Sequence, residues 1–461
     1  MVFSSITFLF YFLPIVLLVY YAVPKKCKNI VLLMASLAFY FYGEPKYTLL
    51  MIFSIICTYI FGLLIDKYKK CSKIFLILSI SISVGILVYF KYINFIVQNI
   101  NLWITNKIDF IYVVLPIGIS FYTFQMISYI IDVYRRQAKV QKNILKLAMY
   151  ISLFPQLIAG PIVRYTEIEE QLENRTHTFE KFALGVRRFI IGLGKKVLIA
   201  NVLGELTARF LSSNEMSVLY YWMYGISTML QIYFDFSGYS DMAIGLGKMF
   251  GFDFLENFNY PYIATSITDF WRRWHISLGS WFRDYIYIPL GGNRVSKVKW
   301  IRNILVVWML TGLWHGAAWN FIIWGLFFGI LLIIEKFFLA KKLKKMPQFL
   351  SRIYVLIIVM ISFIIFNGEN FSQIMQNIGG LIGMGGVPLV SRESIYYLKS
   401  YFLVISIGIV GATPIFKNMV NSKKIHKIIN IIEPIFLLLI LLISTSYIID
   451  GSFNPFLYFR F

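Results

Sequence analysis

Apolar stretches long enough to cross a bilayer recur along the whole chain, and no other feature constrains the fold as strongly. They occupy residues 6–23, 29–42, 47–65, 74–97, 111–131, 144–162, 184–203, 218–236, 304–334, 353–366, 401–416 and 428–449. About 20 such residues in a helix span ~30 Å of hydrocarbon. Inside hydrocarbon only helices and closed barrels satisfy every backbone polar group. The pattern predicts an all-α polytopic integral membrane protein with about eleven or twelve membrane helices, some short or broken. Composition agrees: 59% of the residues are apolar, 14% are charged, and the mean hydropathy is +0.71. Soluble domains run at about half apolar and a quarter charged, so a water-soluble globular protein is excluded. No Lys or Arg precedes the first run and no small-residue cleavage site follows it, so it is expected to stay as a permanent span.

The formal net charge is +22. In a soluble protein that would point to nucleic acid; here it belongs to short loops, no nucleic-acid partner is expected, and it first reports topology. Lys25, Lys26 and Lys28 follow the first run, Lys67, Lys69, Lys70 and Lys73 the third, and Arg135, Arg136, Lys139, Lys142 and Lys146 the fifth. The intervening loops, residues 43–46 and 98–109, hold one cation each. Because cytoplasmic loops collect Lys and Arg, the N-terminus is expected outside. Further cytoplasmic clusters at Lys341–Lys345 and Lys417–Lys427 leave the tail, residues 450–461, outside as well. Cys27, Cys57 and Cys71 have no metal-ligand spacing and form no even framework, so neither a disulfide scaffold nor a metal site is expected. No internal repeat is visible.

Residues 235–302 interleave carboxylates, arginines, glycines and aromatics in a way that a simple spanning helix does not tolerate. Irregular backbone at membrane depth survives where it lines an enclosed cavity. Two of the four histidines lie in or just beyond this segment. His177 and His426 sit in polar loops and read as solvated bystanders. His275 and His315 sit in apolar surroundings, where an ionisable group is by default a functional hypothesis. On one helix Trp308, Thr311, His315 and Trp319 would share a face, and Gly312 and Gly316 would let a second helix approach closely. An imidazole titrating near neutrality suits proton transfer. A neutral histidine hydrogen-bonded to a neighbouring helix is the alternative.

Arg272, Arg273, Arg283 and Arg294, with Gly291 and Gly292, suit an anion carrying several phosphates such as coenzyme A. From charge alone, interfacial anchoring accounts for them better. Asp235 and Asp241 are expected to play a structural part, pairing those arginines or shaping the cavity.

Several motifs carry a resemblance. Phe154-Pro-Gln-Leu-Ile-Ala-Gly-Pro161, Asp235-Phe-Ser-Gly-Tyr-Ser-Asp241, Glu256-Asn-Phe-Asn-Tyr-Pro-Tyr262, Phe270-Trp-Arg-Arg-Trp-His275, Tyr287-Ile-Pro-Leu-Gly-Gly-Asn-Arg294 and Gly312-Leu-Trp-His-Gly316 stand in this order. The chain resembles the membrane-bound O-acyltransferase (MBOAT) family over essentially its whole length, in particular the bacterial branch typified by alginate O-acetyltransferase. The resemblance implies a ring of membrane helices around a central tunnel. It makes 1–461 a single acyltransferase domain with residues 235–320 as catalytic core, His315 the essential histidine and His275 the second polar residue of the tunnel.

The ending Pro455-Phe-Leu-Tyr-Phe-Arg-Phe461 resembles the F-x-Y-x-x-F terminus of a small partner protein of teichoic-acid D-alanylation. By that likeness Tyr458 is a candidate acyl-carrying residue, with an interfacial aromatic anchor as the alternative. The expected activity is transfer of an acetyl group from acetyl-CoA, a substrate rather than a resident cofactor, to the outer side of a bacterial cytoplasmic membrane, for O-acetylation of a polysaccharide. Arg272 and Arg273 would contact the donor's phosphates, and Trp271, Trp274, Trp314 and Trp319 would exclude water. Beyond membrane lipid, an extracytoplasmic SGNH-hydrolase-like acetyltransferase is the expected partner. D-alanyl transfer to teichoic acid is the rival within the family, and a transporter or flippase the rival from another class.

Overall fold

A computed structural model describes residues 2–158, 160–420 and 426–451 of the chain. The tail with Tyr458, and the side chain of His426, lie outside the described residues. All regular secondary structure among the described residues is helical. Among the described residues six helices are long and apolar enough to cross a membrane: Pro45–Lys67, Lys69–Ile100, Trp319–Lys345, Gln348–Asn367, Arg392–Gly411 and Ile431–Ile449. Thr7–Ala22 is apolar but shorter.

Several predicted runs are broken, each for a local reason. Residues 304–334 are two helices, Lys297–His315 and Trp319–Ile334, separated at Gly316-Ala317-Ala318, where Gly316 and Ala318 are extended. Residues 144–162 split into Ile144–Ser152 and Phe154–Leu157, with Pro155 at the second helix's start. The helix Ile119–Tyr134 starts only after Gly118, whose φ of 74° is the left-handed conformation that glycine adopts without strain.

The chain separates into two compact units. The first comprises Met1–Phe189 and Met242–Leu255. In it Pro45–Lys67, Ser72–Leu87 and Ile119–Tyr134 pack on one another, and Phe3, Phe8, Phe12, Phe39 and Phe154 form an aromatic core. His177, expected to be solvated, is half-buried here. Tyr20 donates its hydroxyl proton to the Phe250 carbonyl, and its oxygen lies 2.8 Å from His177 Nε2. Burial, with the nearby cations Lys28 and Arg175, pushes His177 down to about 4.

The second unit comprises Ile190–Asp241 and Glu256–Phe461. Lys297–His315 and Trp319–Ile334 pack together along their lengths, and Gln348–Asn367 packs on the latter. The first two approach so closely that a Cβ on Gly325 would overlap the Trp308 carbonyl oxygen, and one on Gly312 would overlap that of Phe321. Gly312 thus makes the close approach expected of it, whereas Gly316 lies just past the helix end, against the Phe321 ring. Asp235 and Asp241 pair with lysines, which corrects the expected arginine partners. Lys196 Nζ lies 2.6 Å from Asp235 with both side chains almost wholly buried, and Lys195 Nζ lies 2.7 Å from Asp241. Those lysines sit on a π-helical turn, Lys195–Asn201.

Candidate functional site

The site grows from a short irregular segment between two one-to-two-turn helices of the second unit, Ile267–Arg273 and Ile276–Phe282. The first is held at both ends. Ser266 caps it by accepting the Asp269 N–H. Buried Glu335, from a neighbouring helix, accepts the Ile267 N–H at 2.6 Å and the Thr268 N–H and hydroxyl at 3.0 Å. Its negative charge at a helix N-terminus is favourable. At the other end the Arg273 carbonyl accepts the Asn259 N–H, and the Asn257 carbonyl accepts the Ile276 N–H. These two main-chain bonds fasten the turn to residues 257–259.

His275 occupies that turn with φ 43° and ψ 54°. A non-glycine residue in the left-handed region costs of order 1–3 kcal/mol and persists where the surroundings fix it, often at functional sites. Here they do fix it: His275 is 1% exposed, the Phe236 ring meets it edge-on at 4.5 Å, and Asn257 Oδ1 lies 3.2 Å from its Nδ1.

His315 is the last residue of its helix and is 6% exposed. Its ring is walled by Trp314 at 5.1 Å, Trp324 at 5.0 Å and Phe366 at 5.4 Å. Trp314 also lies 5.8 Å from His275, so one indole borders both imidazoles. The two histidines, 40 positions apart in sequence, thus stand on either side of Trp314.

His275, but not His315, lines a cavity of about 490 Å³ together with Thr268, Trp271, Arg272, Arg283 and Thr311, among others. That lies within the range of small-molecule sites. Arg272 is exposed at its edge. Arg273 does not line it; its guanidinium lies 2.9 Å from Asp269. Arg283 does line it while holding Asp284. Trp271 packs against Trp308 and Phe328, and Trp274 against Phe270 and Phe363. Trp319 departs from expectation: the helix ends at His315, so the shared face stops there, and Trp319 is 58% exposed. Among the described residues no three His, Cys, Asp or Glu side chains converge as metal ligands.

Sequence reasoning missed Trp324, Phe366, Glu335 and Asn257 as parts of this site. The tryptophan and phenylalanine carry no signal among so many aromatics. Glu335 carries one, as a carboxylate closing the apolar run 321–334, whereas Asn257, next to Glu256, carries none.

Residues 135–375, which include both histidines, match the model of the MBOAT, membrane-bound O-acyltransferase family. The chain is 40% identical to a probable alginate O-acetylase of Azotobacter vinelandii, over 89% of this chain and 85% of that protein. It is 34% identical to a peptidoglycan O-acetyltransferase of Helicobacter pylori, over 98% of this chain and 90% of that one. A teichoic acid D-alanyltransferase of Bacillus subtilis is 32% identical over 55% of this chain and 69% of its own length.

Proposed function

The chain belongs to the membrane-bound O-acyltransferase family, and from that premise we propose that it passes an acetyl group from cytoplasmic acetyl-CoA to the outer side of the bacterial cytoplasmic membrane, for O-acetylation of a cell-surface or secreted polysaccharide. It is a multi-pass membrane O-acyltransferase. One observation carries the chemical reading: two buried histidines share the Trp314 indole, and one of them borders a cavity edged by Arg272.

In this account the donor enters from the basic cytoplasmic loops and Arg272 meets its phosphates. His315 takes the proton of the attacking hydroxyl as that oxygen bonds to the thioester carbonyl carbon. The carbon–sulfur bond then breaks, and His315 returns the proton to the departing thiolate. The aromatic wall keeps water from competing for the acyl group. Tyr458 is the proposed first acceptor. A phenol with pKa near 10 is a weak nucleophile at neutral pH unless a base removes its proton, and His315 supplies that base. An extracytoplasmic SGNH-hydrolase-like transferase would complete delivery. The N- and C-termini lie outside in this scheme, as the alternation of basic loops requires.

The acetyl reading is supported over D-alanyl transfer by the extent of similarity, 98% of the chain for the peptidoglycan O-acetyltransferase against 55% for the D-alanyltransferase. Base-labile acetate and D-alanine released from envelopes of wild-type, His315→Ala and Tyr458→Phe strains test it. Loss of acetate in both variants is the expected result. Loss only with His315→Ala would remove Tyr458 from the relay, loss of D-alanine would move the enzyme to the rival substrate, and no change in either ester would overturn the catalytic reading.

A further inference from the structure

Asn257 is 1% exposed, and its side-chain oxygen faces two donors on Ser277 and the His275 ring nitrogen Nδ1, from which the Ser277 hydroxyl lies farther, at 3.5 Å. The Ser277 main-chain N–H donates to Oδ1 at 3.1 Å, the Ser277 hydroxyl donates at 2.9 Å, and His275 Nδ1 lies 3.2 Å away. A main-chain N–H can only donate, so the Asn257 atom that meets it is the oxygen and not the amide nitrogen. An amide oxygen can only accept. The proton between the two side chains is therefore on His275 Nδ1, which leaves Nε2 as the acceptor of the ring. Nε2 is buried and has no hydrogen-bond partner among the described residues, while His275 lines the cavity.

We propose that Asn257 is a positioning residue that locks His275 in the Nδ1–H tautomer, so that Nε2 presents a lone pair to a hydroxyl or thiol proton of the reacting substrates. This rests on the acyl-transfer reading of the site and adds to it a division of labour. His275 enters the reaction as a hydrogen-bond acceptor and not as a donor, and the group that decides this stands 18 positions upstream in the sequence. Two features make Asn257 suited to the role. Its main-chain carbonyl accepts the Ile276 N–H at 3.0 Å, so backbone and side chain clamp the strained His275 turn together. Being neutral, it orients the ring without favouring the imidazolium, as a carboxylate would. The titratable side chains around His275 are His315, which shares the Trp314 indole, and Arg272, Arg283 and Tyr287, which line the same cavity.

The test uses full-length enzyme in detergent or liposomes, with acetyl transfer measured per folded molecule across pH. Asn257→Leu should lower kcat roughly 10- to 100-fold, the loss typical of removing the group that orients a functional histidine, with KM little changed. Asn257→Asp should recover most of the turnover and move the acid limb of the pH profile upward by about one unit, because an adjacent carboxylate favours the protonated ring. Reduced yield of folded protein with unchanged turnover and an unmoved acid limb would overturn the proposal. Should the leucine variant fail to fold, Asn257→Thr keeps the main-chain bond to Ile276 but offers a hydroxyl that donates as readily as it accepts. Its turnover should fall, and wild-type turnover would equally overturn the assignment. His275→Ala with wild-type turnover would instead remove this histidine from the chemistry, and the reading on which the proposal rests with it.

Discussion

Replacing Gly325 by alanine should separate the helix that carries His315 from its neighbour. A Cβ at residue 325 overlaps the Trp308 carbonyl oxygen and lies 3.1 Å from both Cα and N of Gly312. Heavy atoms pack comfortably at about 3.5–4.0 Å, and the atoms in the way are backbone, which cannot rotate aside. The two helices must therefore part by roughly 1 Å at this level, or unwind locally. The surroundings cannot absorb the shift, because Trp308 is held against Trp271 and Phe328, and Trp324 against Phe366. Overpacking of this kind costs about 1–3 kcal/mol. His315 lies less than one turn beyond Gly312, and a catalytic group misplaced by about 1 Å can lose up to ~100-fold in rate. The assay is acetyl turnover per folded molecule together with the melting temperature in detergent. Gly85→Ala is the control, since a Cβ there meets nothing within 4 Å and both quantities should hold. Gly325→Ala is expected to lower melting temperature and turnover together. A lowered melting temperature with intact turnover would refute the claim that this helix crossing positions His315.

Lys196→Met should destabilise the enzyme by about 3–5 kcal/mol, because it takes the ammonium away from buried Asp235, whereas Lys196→Met with Asp235→Leu should recover most of that loss; equal melting temperatures for single and double variants would contradict this. Glu335→Ala removes the acceptor of two main-chain N–H groups and one hydroxyl at the start of the Trp271 helix. With buried donors worth about 1–3 kcal/mol each when left unmade, it should cut both stability and apparent donor affinity, and an unchanged KM would show that this helix does not shape the donor cavity. His177, pushed down to about 4 from an unfolded value near 6.5, stabilises the folded protein fully above pH 6.5 and progressively less as pH falls from 6.5 towards 4, since the unfolded chain then binds the proton more readily. His177→Phe should flatten the melting-temperature profile over that window, and a profile as steep as the wild type would contradict it.

Helical membrane architecture was legible because hydrocarbon leaves the backbone few options, and apolar run length reports it directly. The break at Gly316 was missed although His315-Gly316 is a helix-stop pattern, because apolar residues on both sides of it read as one long span. That error alone put Trp319 into the site. His275 and His315 were legible as ionisable residues in apolar sequence, and the cost of burying such groups makes them informative. Their partners were harder to see. Asn257 acts through a turn whose geometry comes from main-chain bonds between residues 257–259 and 273–276, and Glu335 reaches a helix start nearly 70 positions away. The aspartates were read with the wrong cations because arginines were nearer in sequence, whereas the long helix Val218–Met249 places Asp235 and Asp241 beside the π-helical turn that carries Lys195 and Lys196.

The central claim is that His315 moves the proton during acyl transfer. It is tested most directly with purified enzyme in liposomes, radiolabelled acetyl-CoA and the wild-type, His315→Ala and His315→Gln proteins, measuring release of the free thiol and transfer of label at matched amounts of folded protein. Donor binding retained in both variants, with thiol release and label transfer abolished, is the predicted result. Wild-type transfer by His315→Gln, which keeps a polar side chain but cannot carry the proton, would contradict it.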